Sequence, residues 1–258
     1  MNATSCKVTV RAQERLLPDI CRLRVSWPDA VGHKPHAGQF FMLRAWGREE
    51  APLLSRPISV HDFDAGSGEM TFLYQVKGPG TQRLAALTHG DSLTLTGPCG
   101  NGFDTPVMAA KNAAIAVVGG GIGVAPLLLL CRELAANGTK PDLYVGYRDT
   151  PYGLEEFVPC CGSIRVATDS GAAGYHGLVT GILHPEEYAL VLTCGPMVMM
   201  RGVYDLCAAK QVPCLASLER KMACGLGACL GCTCKTSAGY RTVCKDGPVF
   251  PAGEVFAG

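Results

Sequence analysis

Charge of either sign is scarce in this chain of 258 residues, and neither sign prevails: 23 Lys and Arg stand against 22 Asp and Glu, a net charge of +1. A surface that binds nucleic acid or an anionic membrane needs a basic excess, so neither partner is expected. The opening residues Met1-Asn2-Ala3-Thr4-Ser5-Cys6-Lys7 lack the apolar core of a secretory signal. No internal repeat and no low-complexity tract is present. Residues 113–131 form the one uncharged stretch, 19 residues long, that mimics a membrane span. Gly119, Gly120, Gly121, Gly123 and Pro126 interrupt it, so a buried strand, a glycine turn and a helix account for it better. Cysteine, in contrast, is abundant, with 14 residues. In a chain of this length without a secretory signal, that number points to a reducing cytoplasm rather than a disulfide framework. Most of these cysteines, including the adjacent Cys160 and Cys161, are expected to be small buried apolar side chains.

Four of the cysteines are spaced for another purpose. Cys224-x4-Cys229-x2-Cys232-x11-Cys244 follows the C-x4-C-x2-C…C order of plant-type [2Fe–2S] sites, in which four thiolates hold two irons. The glycines between them, in Cys224-Gly225-Leu226-Gly227-Ala228-Cys229-Leu230-Gly231-Cys232, let the backbone bring N–H groups toward sulfur. Zinc also takes four thiolates, but its ribbons pair two short C-x2-4-C knuckles, and here three cysteines cluster while the fourth stands alone. That fourth cysteine lies nearer than is usual in plant-type ferredoxins. Cys234 competes by proximity, although the three-plus-one pattern assigns it no role.

Hydrophobic periodicity divides the chain. Residues 6–10, 20–25, 39–44, 69–75 and 92–97 are short strand-like runs separated by Pro, Gly and Asp turns, the pattern of an antiparallel barrel. The rhythm changes near Lys111. Residues 113–118 form a continuous apolar run, as in a strand buried on both faces, and 125–137 read as a helix capped at Asn137-Gly138. Further strands are expected at 143–147, 164–167 and 189–193, which makes a doubly wound α/β domain. The expected organisation is therefore multi-domain: a β-barrel over 1–107, an α/β domain over 108–214 and a small cysteine domain over 215–258.

Three short motifs fall at informative places. Gly119-Gly120-Gly121-Ile122-Gly123 is a G-x-G-x-G pattern, short of the full G-x-G-x-x-G, but it lies between a buried strand and a helix, where phosphate oxygens find backbone N–H groups. Thr193-Cys194-Gly195-Pro196-Met197 follows the last α/β strand, where ligands of open sheets bind, and Cys194 stands where a nicotinamide ring would lie. Ser55-Arg56-Pro57-Ile58-Ser59 offers a guanidinium for a pyrophosphate and a hydroxyl for a flavin or its ribityl chain, and Gly78-Pro79-Gly80-Thr81 offers N–H groups and a hydroxyl to the same phosphates. Taken singly, each also admits a plainer account: a packing glycine turn, a strand-ending turn, a solvated arginine or a tight turn.

Taken in this order, the motifs resemble the ferredoxin–NADP reductase superfamily, in which the barrel holds a flavin and the α/β domain a nicotinamide nucleotide. Ser217-Leu218-Glu219-Arg220-Lys221-Met222-Ala223-Cys224 and Val243-Cys244-Lys245-Asp246-Gly247-Pro248-Val249-Phe250 further resemble the electron-transfer subunits of type B dihydroorotate dehydrogenases. The resemblance runs the full length and implies specific roles. Arg56, Pro57, Ile58 and Ser59, then Leu73, Tyr74 and Gln75, then Gly80 and Thr81 would bind FAD. Gly119, Gly120, Gly121, Gly123, Cys194, Gly195 and Pro196 would frame NAD, and Cys224, Cys229, Cys232 and Cys244 would ligate a [2Fe–2S] cluster. Gln75 departs from the family, where an Arg is common. NAD rather than NADP rests on the resemblance, because Arg148 has the charge to meet a 2′-phosphate. In this family a separate FMN-containing catalytic subunit oxidises dihydroorotate, and electrons reach NAD⁺ through the cluster and FAD, in pyrimidine biosynthesis. The assembly is a heterotetramer of two plus two, and this chain itself has no dihydroorotate site. Rival readings are a related reductase subunit serving ferredoxin or hydrogenase, and a zinc-stabilised binding module. A redox-sensing regulator has no DNA-binding motif to support it.

Overall fold

A computed structural model describes residues 3–27, 34–47, 49–109 and 113–257. The expected change of rhythm at Lys111 lies outside the described residues. The N-terminal part is a closed antiparallel barrel built from β1 (Thr4–Leu17), β2 (Ile20–Ser26), β3 (Phe40–Arg44), β4 (Arg56–Asp64), β5 (Glu69–Gln75) and β6 (Ser92–Cys99), in the order β1-β2-β5-β4-β3-β6. A short helix, α1 (Pro79–Ala85), joins β5 to β6. The strand that the Arg-Pro-Ile-Ser motif opens is nine residues long, and its first four residues are only half-buried.

A helical turn, α2 (Thr105–Ala109), leads to β7 (Ile115–Gly120), α3 (Leu127–Ala136), β8 (Asp142–Tyr147), β9 (Ser163–Thr168), β10 (Tyr175–His176), β11 (Leu190–Cys194), α4 (Met197–Ala209) and β12 (Cys214–Ser217). The remaining elements are the hairpin β13 (Thr233–Thr236) and β14 (Gly239–Thr242), then β15 (Val249–Pro251) and α5 (Ala252–Phe256). One seven-stranded sheet has the order β10-β9-β8-β7-β11-β12-β15, parallel except for β15. The chain runs outward from β7 through β8, β9 and β10, then returns to the other side of β7 as β11. That reversal places a crevice at the C-terminal ends of β7 and β11. The sequence-based boundaries fall inside elements: 107/108 lies within α2, and 214/215 within β12. The cysteine segment thus contributes β15 to the nucleotide sheet.

Every residue of β7 is buried, and so are Leu127, Leu128, Leu129 and Leu130 of α3. α3 lies against β4, so Leu127, Leu130 and Leu134 share one core with Phe41, Val60 and Phe72 of the barrel. Truncating any of these leucines to alanine costs about 2–5 kcal/mol, so the barrel and the sheet are held as one body. A second core covers the other sheet face and takes in Val118, Val191 and Met200. It continues to Cys232, Cys244 and Phe250 of the cysteine segment and to Phe40 and Met42 of β3. No helix is long and apolar enough to cross a membrane among the described residues. Cys160 and Cys161 are buried, as expected.

Candidate functional site

The ladder between β4 and β5 explains the first cavity. It runs from Asp64 opposite Glu69 to Val60 opposite Phe72 and stops there. Residues 57–59 and 73–75 therefore diverge, and a cavity of about 230 Å³ is lined by Pro57, Ile58 and Ser59 on one strand and Leu73, Tyr74 and Gln75 on the other. Its far wall comes from the nucleotide sheet and the cysteine segment: Ile122, Ala125, Pro126, Cys194, Ser217, Leu218, Glu219, Met222 and Pro248. Six of the nine residues expected to hold the flavin are thus together, with Thr81 a seventh wall residue. Arg56 and Gly80 lie against each other beside the wall, where a Cβ on Gly80 would run into Arg56 Nε. The Arg56 guanidinium donates to the carbonyls of Leu54 (2.7 Å) and Ser55 (3.3 Å) and lies over the Trp46 ring. The Thr81 hydroxyl is engaged locally: from the first turn of α1 it reaches back to accept from the N–H groups of Lys77 (2.9 Å) and of the N-cap Gly78 (3.1 Å). Gln75 donates to Asp19 at 2.6 Å. Burial raises the Tyr74 pKa, although Gln13 hydrogen-bonds to its hydroxyl at 3.0 Å, so the phenol stays protonated.

A larger cleft of about 780 Å³ opens at the reversal of the sheet. Gly120, Gly121, Ile122 and Gly123 line it after β7, Gly195, Pro196 and Met197 after β11, and Tyr147, Arg148, Asp149, Thr150 and Tyr152 after β8. Its volume is within the range of small-molecule sites. Gly119 is not in this wall; it packs under α3, where an added Cβ would be 2.8 Å from Leu127 Cδ1. Gly123 allows two turns to meet, because a Cβ there would run into Gly195 Cα and come within 2.5 Å of the Cys194 carbonyl oxygen. Of the Cys194-Gly195-Pro196 turn, Cys194 lines the first cavity, while Gly195 and Pro196 line the cleft. Burial, and then the nearby Glu219, raise the Cys194 pKa, against a hydrogen bond with Ser217, so this group is a neutral thiol.

Gln75, Lys77, Ile122 and Glu219 belong to both walls, so the cavity and the cleft adjoin. Glu219 lines both walls at their junction. Desolvation raises its pKa and the Lys77 ammonium opposes the rise. Sequence reasoning assigned no role to Lys77, Ile122, Ser217 or Glu219. Ile122 sat unnoticed as the variable position of the glycine motif, and Glu219 could have been found as a carboxylate just beyond a parallel strand.

Among the described residues, no three His, Cys, Asp or Glu side chains converge on one point as a single metal ion needs. The four thiols fall instead into two contacting pairs, Cys224 with Cys229 and Cys232 with Cys244. Two thiolates per metal is the division that a two-iron cluster requires. Each sulfur also accepts a backbone N–H: Cys224 from Leu226 (3.3 Å), Cys229 from Gly231 (3.5 Å), Cys232 from Cys244 (3.4 Å) and Cys244 from Gly227 (3.1 Å). Burial opposes ionisation of Cys224, yet the N–H groups of Leu226, Cys229 and Ala228 bring its pKa down to about 6. Burial and the contact with Cys232 push Cys244 up to about 12, a proton that cluster binding would displace. The donor set, its pairing and its N–H groups fit a [2Fe–2S] cluster. Cys234 faces inward from β13 and joins the second core. Met222 lines the first cavity and Cys224 is two residues on, so their Cα atoms are at most about 7 Å apart.

The profile of the iron-sulfur cluster binding domain of dihydroorotate dehydrogenase B matches residues 219–256. The electron transfer subunit of dihydroorotate dehydrogenase B (NAD(+)) from Clostridium acetobutylicum is 44% identical over 218 residues, covering 84% of this chain and 85% of that protein. Its counterpart from Caldanaerobacter subterraneus subsp. tengcongensis is 39% identical over 255 residues, covering 96% and 97%. Among solved structures, an NADH-dependent reduced ferredoxin-NADP oxidoreductase superposes with a TM-score of 0.83 at 25% identity, over 99% of this chain and 91% of that one. The ferredoxin reductase of a carbazole 1,9a-dioxygenase shares the fold at 19% identity, with a TM-score of 0.67 over 83% of this chain and 68% of that one.

Proposed function

Since the chain belongs to the family of dihydroorotate dehydrogenase B electron transfer subunits, we propose that it carries electrons from the FMN of a dihydroorotate-oxidising catalytic subunit, through its cluster and FAD, to NAD⁺. The carrying observation is a continuous path: the cluster loop leaves the flavin wall at Met222, and that cavity meets the nucleotide cleft at Gln75, Lys77, Ile122 and Glu219. FAD supplies the chemistry that joins single-electron exchange on the cluster side to hydride transfer on the nicotinamide side.

The chain's own residues bind and orient. Residues 57–59 and 73–75 would hold the flavin ring where the β4–β5 ladder ends, with Arg56 and Gly80 at the pyrophosphate. The glycine turn after β7 and the Gly195-Pro196 turn would seat NAD, and Cys224, Cys229, Cys232 and Cys244 would ligate the cluster. The exposed side of the cluster loop, with Leu226 52% and Leu230 63% accessible beside Cys229, would face the catalytic subunit. The assembly is proposed as two copies of each subunit in the cytoplasm.

The test is dihydroorotate-dependent NADH formation by the catalytic subunit alone and after addition of this chain. The reading expects activity only with both. A chain that reduces a dye with NADH but never couples to dihydroorotate would rule out this partner.

A further inference from the structure

We propose that His61 is a positioning residue for hydride transfer: it ties the flavin-side strand to the turn shared by the flavin cavity and the nucleotide cleft, and so sets the distance between them. This rests on the reading above, with FAD in the first cavity and NAD in the second.

His61 follows Ser59 of the flavin wall by two positions, and it is the extra residue of a β-bulge. Val60 pairs with Phe72 and Asp62 with Thr71, which leaves His61 without a partner in the ladder. Bulges re-aim side chains, and this one sends the imidazole into the barrel–sheet interface, where it is fully buried. There Nδ1 is 2.7 Å from the carbonyl oxygen of Ala125. A carbonyl only accepts, so Nδ1 carries the proton. On the other edge of the ring, Nε2 faces Glu156 Oε2 at 3.5 Å, and Glu156 pairs with Arg22 of β2 at 2.9 Å. The hold is therefore made by Nδ1; Nε2, an acceptor in this tautomer, makes no hydrogen bond to the Glu156 carboxylate.

The atom it grips is well placed. The Ala125 N–H closes the turn onto the Ile122 carbonyl at 2.9 Å. Ala125, Pro126 and Ile122 line the flavin cavity, while Gly121, Ile122 and Gly123 line the nucleotide cleft. The rest of α3 has its own ties: Arg132 pairs with Asp62 of β4, and Glu133 accepts from the Ala37 N–H before β3 and the Thr105 hydroxyl of α2, each at 2.9 Å. Loss of the imidazole therefore frees the turn while the helix stays docked. A displacement of about 1 Å at a reacting pair is enough to slow a reaction by up to a hundredfold.

The test uses the full chain loaded with FAD and cluster, as wild type and as His61→Asn, His61→Gln and His61→Leu. The Asn amide reaches the place of Nδ1, whereas the Gln amide reaches that of Nε2. Three quantities are measured: the calorimetric Kd for NAD⁺, the stopped-flow rate of FAD reduction by NADH, and the melting temperature. We expect His61→Asn to match wild type in affinity and rate. His61→Gln and His61→Leu should bind NAD⁺ about fivefold more weakly, the factor for one net hydrogen bond, and accept hydride at least about tenfold more slowly at full FAD occupancy. A merely structural residue would lower the melting temperature in all three and leave affinity and rate alone, which overturns the proposal. So does an Asn variant as slow as Leu. If His61→Leu fails to fold, the Asn and Gln pair decides. A wild-type chain that takes no hydride from NADH fails the functional reading itself, and the proposal with it.

Discussion

Replacing Gly123 by alanine sets the two turns of the nucleotide cleft against each other. The new Cβ would run into Gly195 Cα and sit 2.5 Å from the Cys194 carbonyl oxygen. Both neighbours are backbone, so no flexible side chain can swing away. Reaching the 3.4 Å of an ordinary contact requires the turns to part by at least about 0.9 Å. Cys194 lines the first cavity and Gly195 the cleft, so the shift falls between the two proposed cofactor sites. A misplacement near 1 Å costs about a hundredfold in rate, or about 2.7 kcal/mol of barrier. Overpacking should lower stability by about 1–3 kcal/mol. The assay is stopped-flow reduction of bound FAD by NADH, with FAD content and the cluster EPR signal measured on the same sample. Gly68→Ala, away from both cavities, is the internal control: an added Cβ there meets no atom within 4 Å, and only the φ of +63° is strained, at about 1–2 kcal/mol. Wild-type hydride transfer in Gly123→Ala would refute the close-approach argument.

Cys229→Ala should abolish the [2Fe–2S] EPR signal while FAD and NADH-dependent dye reduction remain, and a normal signal would remove Cys229 from the ligand set. Arg56→Ala should lower the FAD retained through gel filtration, and unchanged flavin content would exclude Arg56 from the pyrophosphate site. The fold should also lose stability in acid through Asp142. Burial pushes its pKa up, but Ser163, Tyr188 and Arg165 prevail and hold it below the usual carboxylate range. Such a group stabilises the fold above its unfolded pKa of about 3.9, and that contribution disappears as pH falls through the lower folded value. Urea titrations across pH 5 to 2 should therefore show a smaller stability loss in Asp142→Asn, and identical pH slopes would refute the assignment.

Local chemistry was legible wherever it depends on residues near one another in the chain. The spacing of Cys224, Cys229 and Cys232 points to the cluster-binding segment, which the family profile over residues 219–256 contains, because a short loop must supply several ligands to one cluster. The apolar run of β7, the glycine turn and the leucines of α3 announce a strand, a turn and a helix, since burial on both faces leaves no polar alternation. Tertiary structure alone decided what comes together from distant segments. The gap between β4 and β5 arises where a ladder ends, and both strands read as ordinary barrel strands in isolation. Cys194 lines the first cavity where Gly123 lets two turns touch, an approach that local spacing does not encode. Lys77 and Glu219 become neighbours only when the barrel docks on the sheet, where loss of water shifts the Glu219 carboxyl. Periodicity and spacing record which face of an element is buried and which ligands one loop supplies. The meeting of two cofactor cavities is a property of docking, set by the core shared between α3 and the barrel.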